Sequence, residues 1–335
     1  MTTYEIRVID PADEALLRAW WEVGEAATRE RAVDGFTTWE SARRALPLPR
    51  TDGRHVLVSA LAADGRTVGA GMAFLFRHDN THLAEVEVYV HPDHRRRGAG
   101  RALLAELERI SRAHGRTTLI ASAFTPVGAD SAGSLFAAEV GFSVGNHELT
   151  KTLDLHEAPP AWAPLDAEVA AALGGYRIVV SEEHVADEYV DGFCRLLEAF
   201  LGEVPLGELD LQRAVWTKER LRDGEDRAVA VGRCQVVALA VAPDGEVCGF
   251  SDVRVDRHDP RHAGVGGTLV LPAHRGHRLG LAMKLATHRR ISELFPECAY
   301  VETGNAGVNA AMGAVNDQMG YRVVEECLDV QKVLA

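Results

Sequence analysis

Short blocks of alternating apolar and polar residues recur along the chain. Between them lie longer blocks with apolar positions three and four apart. YEIRVID (4–10), HVLVSALA (55–62), TVGAGMAFLF (67–76), AEVEVYV (84–90) and TTLIASA (117–123) carry the two-residue period, or the near-continuous apolar run, of strands. PADEALLRAWWEVGEAATRERA (11–32), GRALLAELERISRAHG (100–115) and SLFAAEVGF (134–142) have helical spacing, and Gly115 closes the second. The order then repeats. YRIVV (176–180) predicts a strand and 182–202 a helix. AVAVGRCQVVALAVA (228–242), VCGFSDVRV (247–255) and GTLVL (267–271) predict strands, followed by a helix over 281–295 and the strand AYVET (299–303). Hairpin-joined strands followed by a strand–helix–strand crossover predict an α/β (α+β) fold. Each half would be a mixed, mostly antiparallel twisted sheet flanked by helices.

The duplication holds its register. VHPDHRRRGAGRALL from Val90 and VLPAHRGHRLGLAMK from Val270 align without gaps. Pro92 then meets Pro272, His94 meets His274, Arg95 meets Arg275, and Gly100 meets Gly280 at an offset of 180. Gly141-Phe142 and Gly320-Tyr321 keep an offset of 179, as a tandem repeat requires. Between the copies, 157–164 reads EAPPAWAP. Three prolines in that stretch suit an extended strap better than a core element. The expected boundaries are a first domain over 1–156, a linker over 157–172 and a second domain over 173–335.

Composition narrows the setting. The 49 acidic residues exceed the 36 basic ones, for a net charge of −13, so contact with a nucleic-acid backbone would need a local basic patch. Cys194, Cys234, Cys248, Cys298 and Cys327 are odd in number and form no C-x-x-C pair. That argues against a disulfide framework or a zinc site, and for a reducing compartment. The first residues lack a signal pattern, and no apolar run approaches the ~18 residues of a membrane span. The expectation is a soluble cytoplasmic protein with no metal and no membrane partner.

The chemistry-bearing feature is the repeated junction of strand, basic glycine-containing turn and helix. In the first half the turn is Arg95, Arg96, Arg97, Gly98, Ala99, Gly100 and Arg101. Glycines let the backbone turn tightly and bring its N–H groups to a ligand. The following helix adds free N–H groups and a positive dipole end, and the arginines add charge-assisted bonds. Together these make an anion cradle suited to a pyrophosphate. A P-loop is excluded because G-x-x-x-x-G-K-[ST] is absent, and a dinucleotide fingerprint lacks its third glycine and acidic ribose reader.

The pattern V-x-P-x-H-R-x-x-G-x-G, ending a strand and opening a helix, resembles the acyl-CoA motif of the GNAT acyltransferase superfamily. Its Arg-x-x-Gly-x-Gly form is met by Arg95, Gly98 and Gly100. The second half departs at one place, where Arg278 stands for the first motif glycine between Arg275 and Gly280. The resemblance covers both halves. It implies acyl transfer, usually of acetyl, from a CoA thioester to an amine of a small molecule. The cofactor would then lie against Val270, Leu271, Arg275, Gly276, His277, Arg278, Leu279, Gly280 and Leu281 as well as the first turn.

TGNAGVNAAMGAVNDQMGY (303–321) adds to the resemblance. Asn309 stands where the family commonly binds the pantetheine arm, and Asn316 where a tyrosine often protonates the leaving thiolate. The first half has Asp130 and Ala137 at those places, so the chemistry is expected in the second half, with Asn305, Asn309 and Asn316. A base is sought among Asp252, Glu302, His258 and His262, or among Glu85 and Glu87 of the first half. Trp20-Trp21 is a candidate substrate wall. Two rival readings are a carrier-protein or aminoacyl-tRNA donor, drawn by the basic runs, and a non-catalytic CoA-binding module.

Overall fold

The structure is a computed structural model and describes residues 4–33 and 35–334. In chain order its elements begin β1 (Glu5–Ile9), α1 (Glu14–Thr28), α2 (Trp39–Ala45), β2 (Gly53–Leu61), β3 (Thr67–Phe76) and β4 (Leu83–Val90). Then come α3 (Ala99–Ala113), β5 (Thr118–Thr125), α4 (Ala132–Glu139), β6 (Ser143–Asp154), α5 (Ala163–Ala172) and β7 (Arg177–Glu182). The remainder is α6 (Val190–Glu203), α7 (Lys218–Ala230), β8 (Arg233–Val241), β9 (Val247–Asp256), β10 (Asp259–Val270), α8 (Leu279–Leu294), β11 (Tyr300–Ala306), α9 (Ala310–Met319) and β12 (Arg322–Val333).

These elements form two compact units that differ from the two expected domains. One unit runs up to His147, adds Leu206–Gln212 and takes the chain from Glu325 onward. The other comprises Glu148–Pro205 and Arg213–Val324. The expected boundaries at 156 and 173 miss this division because each half ends in a strand that serves the other unit. β12 pairs antiparallel with β5, from Glu326 opposite Thr125 to Val333 opposite Thr118. β6 pairs antiparallel with β11, from Glu148 opposite Ala306 to Asp154 opposite Tyr300.

In the first unit the order is β1-β2-β3-β4-β5-β12, antiparallel except for β4 and β5. The amphipathic α3 makes that parallel crossover. It lays Leu103, Leu107 and Ile110 on the face that carries Val58, Ala73 and Leu75. The opposite face, with Leu57 and Ala70, takes Leu17, Trp20 and Val23 of α1. Alternation along the strands supplies both cores. The second unit has the order β6-β11-β10-β9-β8-β7, and β10 and β11 are its parallel pair. Its core is divided likewise between α8, with Leu281, Leu285 and Ile291, and α6, with Phe193 and Leu196.

Two local expectations are corrected. The stretch 157–172 is no free linker: Trp162 is fully buried and donates through Nε1 to Met319 O at 3.0 Å, and α5 follows with Leu165 buried. Its prolines stand in the first turns of helices, where a missing N–H costs nothing. Residues 228–230 end α7 instead of opening a strand, since Thr217 caps that helix and β8 starts at Arg233. DRHDPRH is a tight hairpin whose second arm already belongs to β10.

Candidate active site

In each unit the two parallel strands stay together for three residue pairs and then part. β4 and β5 are paired at Leu83, Ala84 and Glu85. β10 and β11 are paired at His262, Ala263 and Gly264. Past those pairs the facing edges diverge, and their backbone groups look into a wedge. Each wedge opens toward a turn that enters a helix.

The two turns share a backbone but exchange residue types. In the first, Arg96 (φ 61°) and Gly98 (φ 96°) are left-handed; in the second, Gly276 (φ 90°) and Arg278 (φ 55°) are. Gly98 and Arg278 are the helix N-caps, and neither makes a side-chain cap bond, so the first N–H groups of α3 and α8 remain to be satisfied. Arg95 and Arg275 brace their turns. Arg95 donates to Val90 O, Ala27 O and Glu30, and Arg275 to Val270 O at 3.2 Å and Glu203 at 2.7 Å. Arg101 and Arg96 meet Glu139 at 2.5 and 3.6 Å, while Arg97 is exposed. Ala99 is buried under the turn. A β-carbon at Gly100 would come within 3.4 Å of the Phe136 ring.

The second turn borders a cleft of about 700 Å³. Val270, Arg275, Gly276, the run Arg278 to Leu281 and Asn309 line it. Leu271 and His277 do not: Leu271 packs beside the α6 core, and His277 lies against the Tyr176 ring at 4.8 Å. A β-carbon at Gly276 would meet nothing within 4 Å, and one at Gly280 would only reach Val270 at 4.0 Å. The turn therefore presents open backbone, two guanidiniums and a helix N-terminus beside an apolar wall, which fits the diphosphate and arm of a CoA thioester.

One irregularity re-aims β10. Its register with β9 shifts between Val265 and Gly267. A β-carbon on Gly266 would lie 2.2 Å from Asp252 Oδ2, so a residue without one is required. Ahead of the bulge Ala263 faces the α8 core, whereas beyond it Leu269 joins the α6 core and Val270 packs with Leu279. β4 pairs with β3 without any shift.

Around this wedge the predicted residues separate. Asp252 is buried, and its Oδ2 accepts from Gln235 and Arg254 at 3.0 Å each. Glu302 stands opposite Gly264 at the last pair before the strands part. Asn316, fully buried, donates through Nδ2 to Asn305 Oδ1 at 3.0 Å, and its own Oδ1 has no partner. Asn309 caps α9, its Oδ1 accepting from Met312 N. His262 stacks on Tyr300 at 5.6 Å.

In the first unit Glu87 accepts from the Tyr89 hydroxyl at 2.9 Å. Burial raises its carboxyl to about 7, against the lowering effect of that hydrogen bond. Glu85, although exposed at the surface, is also raised, by partial desolvation first, with Arg50 pulling down and Asp329 pushing up. Phe36 meets the Tyr89 ring edge-on at 5.3 Å, and Trp21 meets Trp39 at 6.0 Å. Trp20 belongs to the core, donating to Gly71 O.

Two groupings were not anticipated. Under the second turn, Tyr176 Oη lies 2.9 Å from His274 Nδ1, and His274 Nε2 lies 3.2 Å from Glu246. His274 was visible only as a matched motif residue. Deeper in, Lys284, His288 and Tyr321 sit inside the core. His288 Nε2 is 2.6 Å from Tyr321 Oη, and the Lys284 amine is 4.9 Å from the Tyr321 ring. The repeat alignment did carry a signal here, since Leu104 occupies the place of Lys284. Among the described residues no cluster of three or more His, Cys, Asp or Glu could hold a metal ion, and no helix is long and apolar enough to cross a membrane.

Comparison with known proteins agrees with this fold. Residues 16–142 match the family model of the Acetyltransferase (GNAT) family. A tandem GNAT protein from the clavulanic acid biosynthesis pathway, solved without AcCoA, superposes with a TM-score of 0.83 at 26% identity, covering 99% of both chains. A GCN5-related N-acetyltransferase from Sphaerobacter thermophilus gives 0.67 at 18% identity, covering 99% of this chain and 96% of that one. Saccharomyces cerevisiae N-myristoyltransferase, solved with myristoyl-CoA, gives 0.58 at 12% identity over 99% and 79%, a likeness of fold. No curated protein sequence matches.

Proposed function

From the premise that this chain is a tandem GNAT protein, we propose that it moves an acyl group, acetyl in the simplest case, from a CoA thioester to an amine of a small molecule. The observation that carries the reading is the open cleft of the second unit, where parting strands, a left-handed turn and the α8 N-terminus converge. The thioester supplies the activated acyl carbon. Backbone N–H groups of the turn and first helical residues hold its phosphates, and the β10 edge orients its carbonyl. In this reading the hydrogen-bonded Asn305–Asn316 pair would steady the leaving sulfur, since an amide donates a hydrogen bond without releasing a proton. Asp252, engaged by Gln235 and Arg254 at the bulge, would orient the amine; the neutral amine attacks the acyl carbon as the C–S bond breaks, its proton passes to water and the thiolate leaves with CoA.

A second reading is favoured by Glu87. A carboxyl near 7 at the parting of β4 and β5 suits proton removal from an amine, which would put chemistry in the first unit. One experiment covers both. Thiol release from acetyl-CoA is followed with a panel of amines for the native chain and for Gly280→Glu and Gly100→Glu, each of which sets a carboxylate against the expected diphosphate. Loss with Gly280→Glu alone supports the second unit, and loss with Gly100→Glu alone supports the first. Absence of both thiol release and CoA binding in the native chain overturns the acyl-CoA reading and leaves a carrier- or tRNA-borne donor.

A further inference from the structure

The first unit has a cavity of about 530 Å³ that acyl transfer does not use. β1 pairs with β2 only as far as Ile9, opposite Leu57, whereas β2 already begins at Gly53. The chain turns away at Asp10 and Pro11, and residues 46–50, between α2 and β2, wall the other side. The cavity lies in the corner left between them. It is remote from the first turn. That turn follows Val90, which stands opposite Gly69 near the start of β3, while Arg77 of the cavity follows the far end of β3. Roughly 25 Å of strand separates the two places.

Apolar and cationic groups border the same space. Val8 and Leu48 are large apolar side chains left exposed, at 51% and 41%. Leu48 stands between Pro47 and Pro49, whose fixed φ stiffens that wall before any ligand arrives. Three guanidiniums complete the lining. Arg50 is committed: it holds Asp52 and lies 4.8 Å above the Phe74 ring. Arg54 and Arg77 are exposed, and among the described residues no carboxylate lies within ion-pair distance of either. Arg54 stands opposite Leu75 on the face of Val56, and Arg77 comes two residues after Leu75, so alternation sends both forks to one side. Asp10 is the one acid of the lining, and its Oδ1 accepts from Ala12 N at 2.9 Å. In a chain of net charge −13 this corner is locally cationic.

A ligand for such a corner carries an anion and an apolar body together. A planar carboxylate meets a guanidinium fork with both oxygens, and covering Val8 and Leu48 removes apolar surface from water. A cavity of this size takes a small molecule. We propose that the corner beside β2 is a second ligand site of the first unit, for a small carboxylate with an apolar body. Arg54 and Arg77 hold the carboxylate, and Val8 and Leu48 cover the body. The site is separate from the acyl-transfer chemistry and does not rest on the CoA reading.

Calorimetry with octanoate tests this, on the full chain with CoA present. Octanoate should bind saturably. Acetate, which has the anion alone, and octanol, which has the body alone, should each bind at least about tenfold more weakly. Arg54→Gln and Arg77→Gln should each weaken octanoate about fivefold to tenfold, the scale of one charge-assisted bond, and the double variant should weaken it further. Both side chains are exposed, so the native melting temperature should be kept. Leu48→Ser should weaken octanoate about threefold through lost apolar cover. No saturable binding, octanol binding as well as octanoate, or octanoate affinity unchanged in the double arginine variant would each overturn the proposal. Octyl phosphate binding more than about tenfold tighter than octanoate would overturn the carboxylate assignment and mark a phosphate site. Octanoate binding only when CoA is withheld would place it in a donor cleft and likewise overturn the proposal.

Discussion

Lys284 sits 1% exposed on α8, among buried residues that include Leu281, Leu285, His288 and Tyr321. Its amine faces the Tyr321 ring. The charged group that acts on it is Lys151, itself paired with Asp317 at 2.8 Å. Burial, with Lys151 adding to it, lowers the Lys284 pKa from 10.5 to about 7. The unfolded chain therefore holds a proton that the folded chain sheds between pH 7 and 10.5. Stability should climb as pH rises through that window, and the cost is fully present below about 7. His288 acts with the same sign lower down. Burial first and Lys284 second push it well below 6.5, so stability is lost as pH falls from 6.5. A shift of the size at Lys284 corresponds to a ceiling of about 5 kcal/mol at neutral pH. Dielectric relaxation around a buried amine reduces this, and we expect about 2 kcal/mol. Lys284→Met keeps the chain length and removes the charge. It should raise the melting temperature of the second unit by roughly 4–8 °C at about pH 7. At about pH 10 it should do little. Thermal unfolding of both proteins at about pH 7, 8.5 and 10 decides the matter. A methionine variant no more stable than the native chain at neutral pH, with native stability flat across the window, would refute the reasoning.

If the first unit is catalytic, its rate should rise with pH through about 7 as the Glu87 carboxyl ionises, and Glu87→Gln should remove that limb with a loss of about 10²–10⁴-fold in thiol release. Tyr89→Phe should move the midpoint upward, because the lost hydrogen bond favours the carboxylate. Gly266→Ala should force a β-carbon onto Asp252 Oδ2 and destabilise the second unit by about 1–3 kcal/mol, measurable by urea unfolding.

The order of the expected strands and long helices was legible from their apolar periodicity and turn residues, whereas α2, α5, α7 and α9 carried too little of it to be read. The repeat was legible because both strand–turn–helix junctions keep the same spacing, with two left-handed residues in each turn. The units were not. β6 and β12 read as ordinary half-polar segments at the ends of the halves, and nothing in a strand's own alternation says which sheet receives it. EAPPAWAP looked like a strap because its prolines outweigh one tryptophan in composition, yet burying Trp162 settles the stretch against α8 and α9. In the site, motif residues landed on the cleft, while Leu271 and His277 fell outside because alternate backbone positions point away. Asn305 and Asn316 are eleven residues apart and meet only because α9 folds back along β11. The raised carboxyl of Glu87 depends on burial, which an alternating VEVYV pattern does not reveal.

The strand exchange makes a claim about the ends of the chain. Glu325 onward belongs to the first unit, where β12 completes the sheet beside β5. Lys332 there donates to Glu108 at 2.6 Å and to Val140 O, and Arg31 meets the buried Glu325 at 2.6 Å. The matching lysine of the second unit, Lys151, comes from β6 and pairs with Asp317. Removing the chain after Val324 should thus strip an entire strand, two ion pairs and the packing of Leu334 from the first unit. The second unit keeps all of its residues. Backbone groups of β5 left without a partner, and Arg31 left part-buried without Glu325, should destabilise the first unit by several kcal/mol, about the cost of breaking a buried pair. Amide exchange read by mass spectrometry separates the two outcomes. Peptides from β4, β5 and α3 should lose protection in the truncated chain, while those from β8, β9 and α8 keep it. Protection lost first in the second unit would mean that the C-terminal strand serves its own half after all.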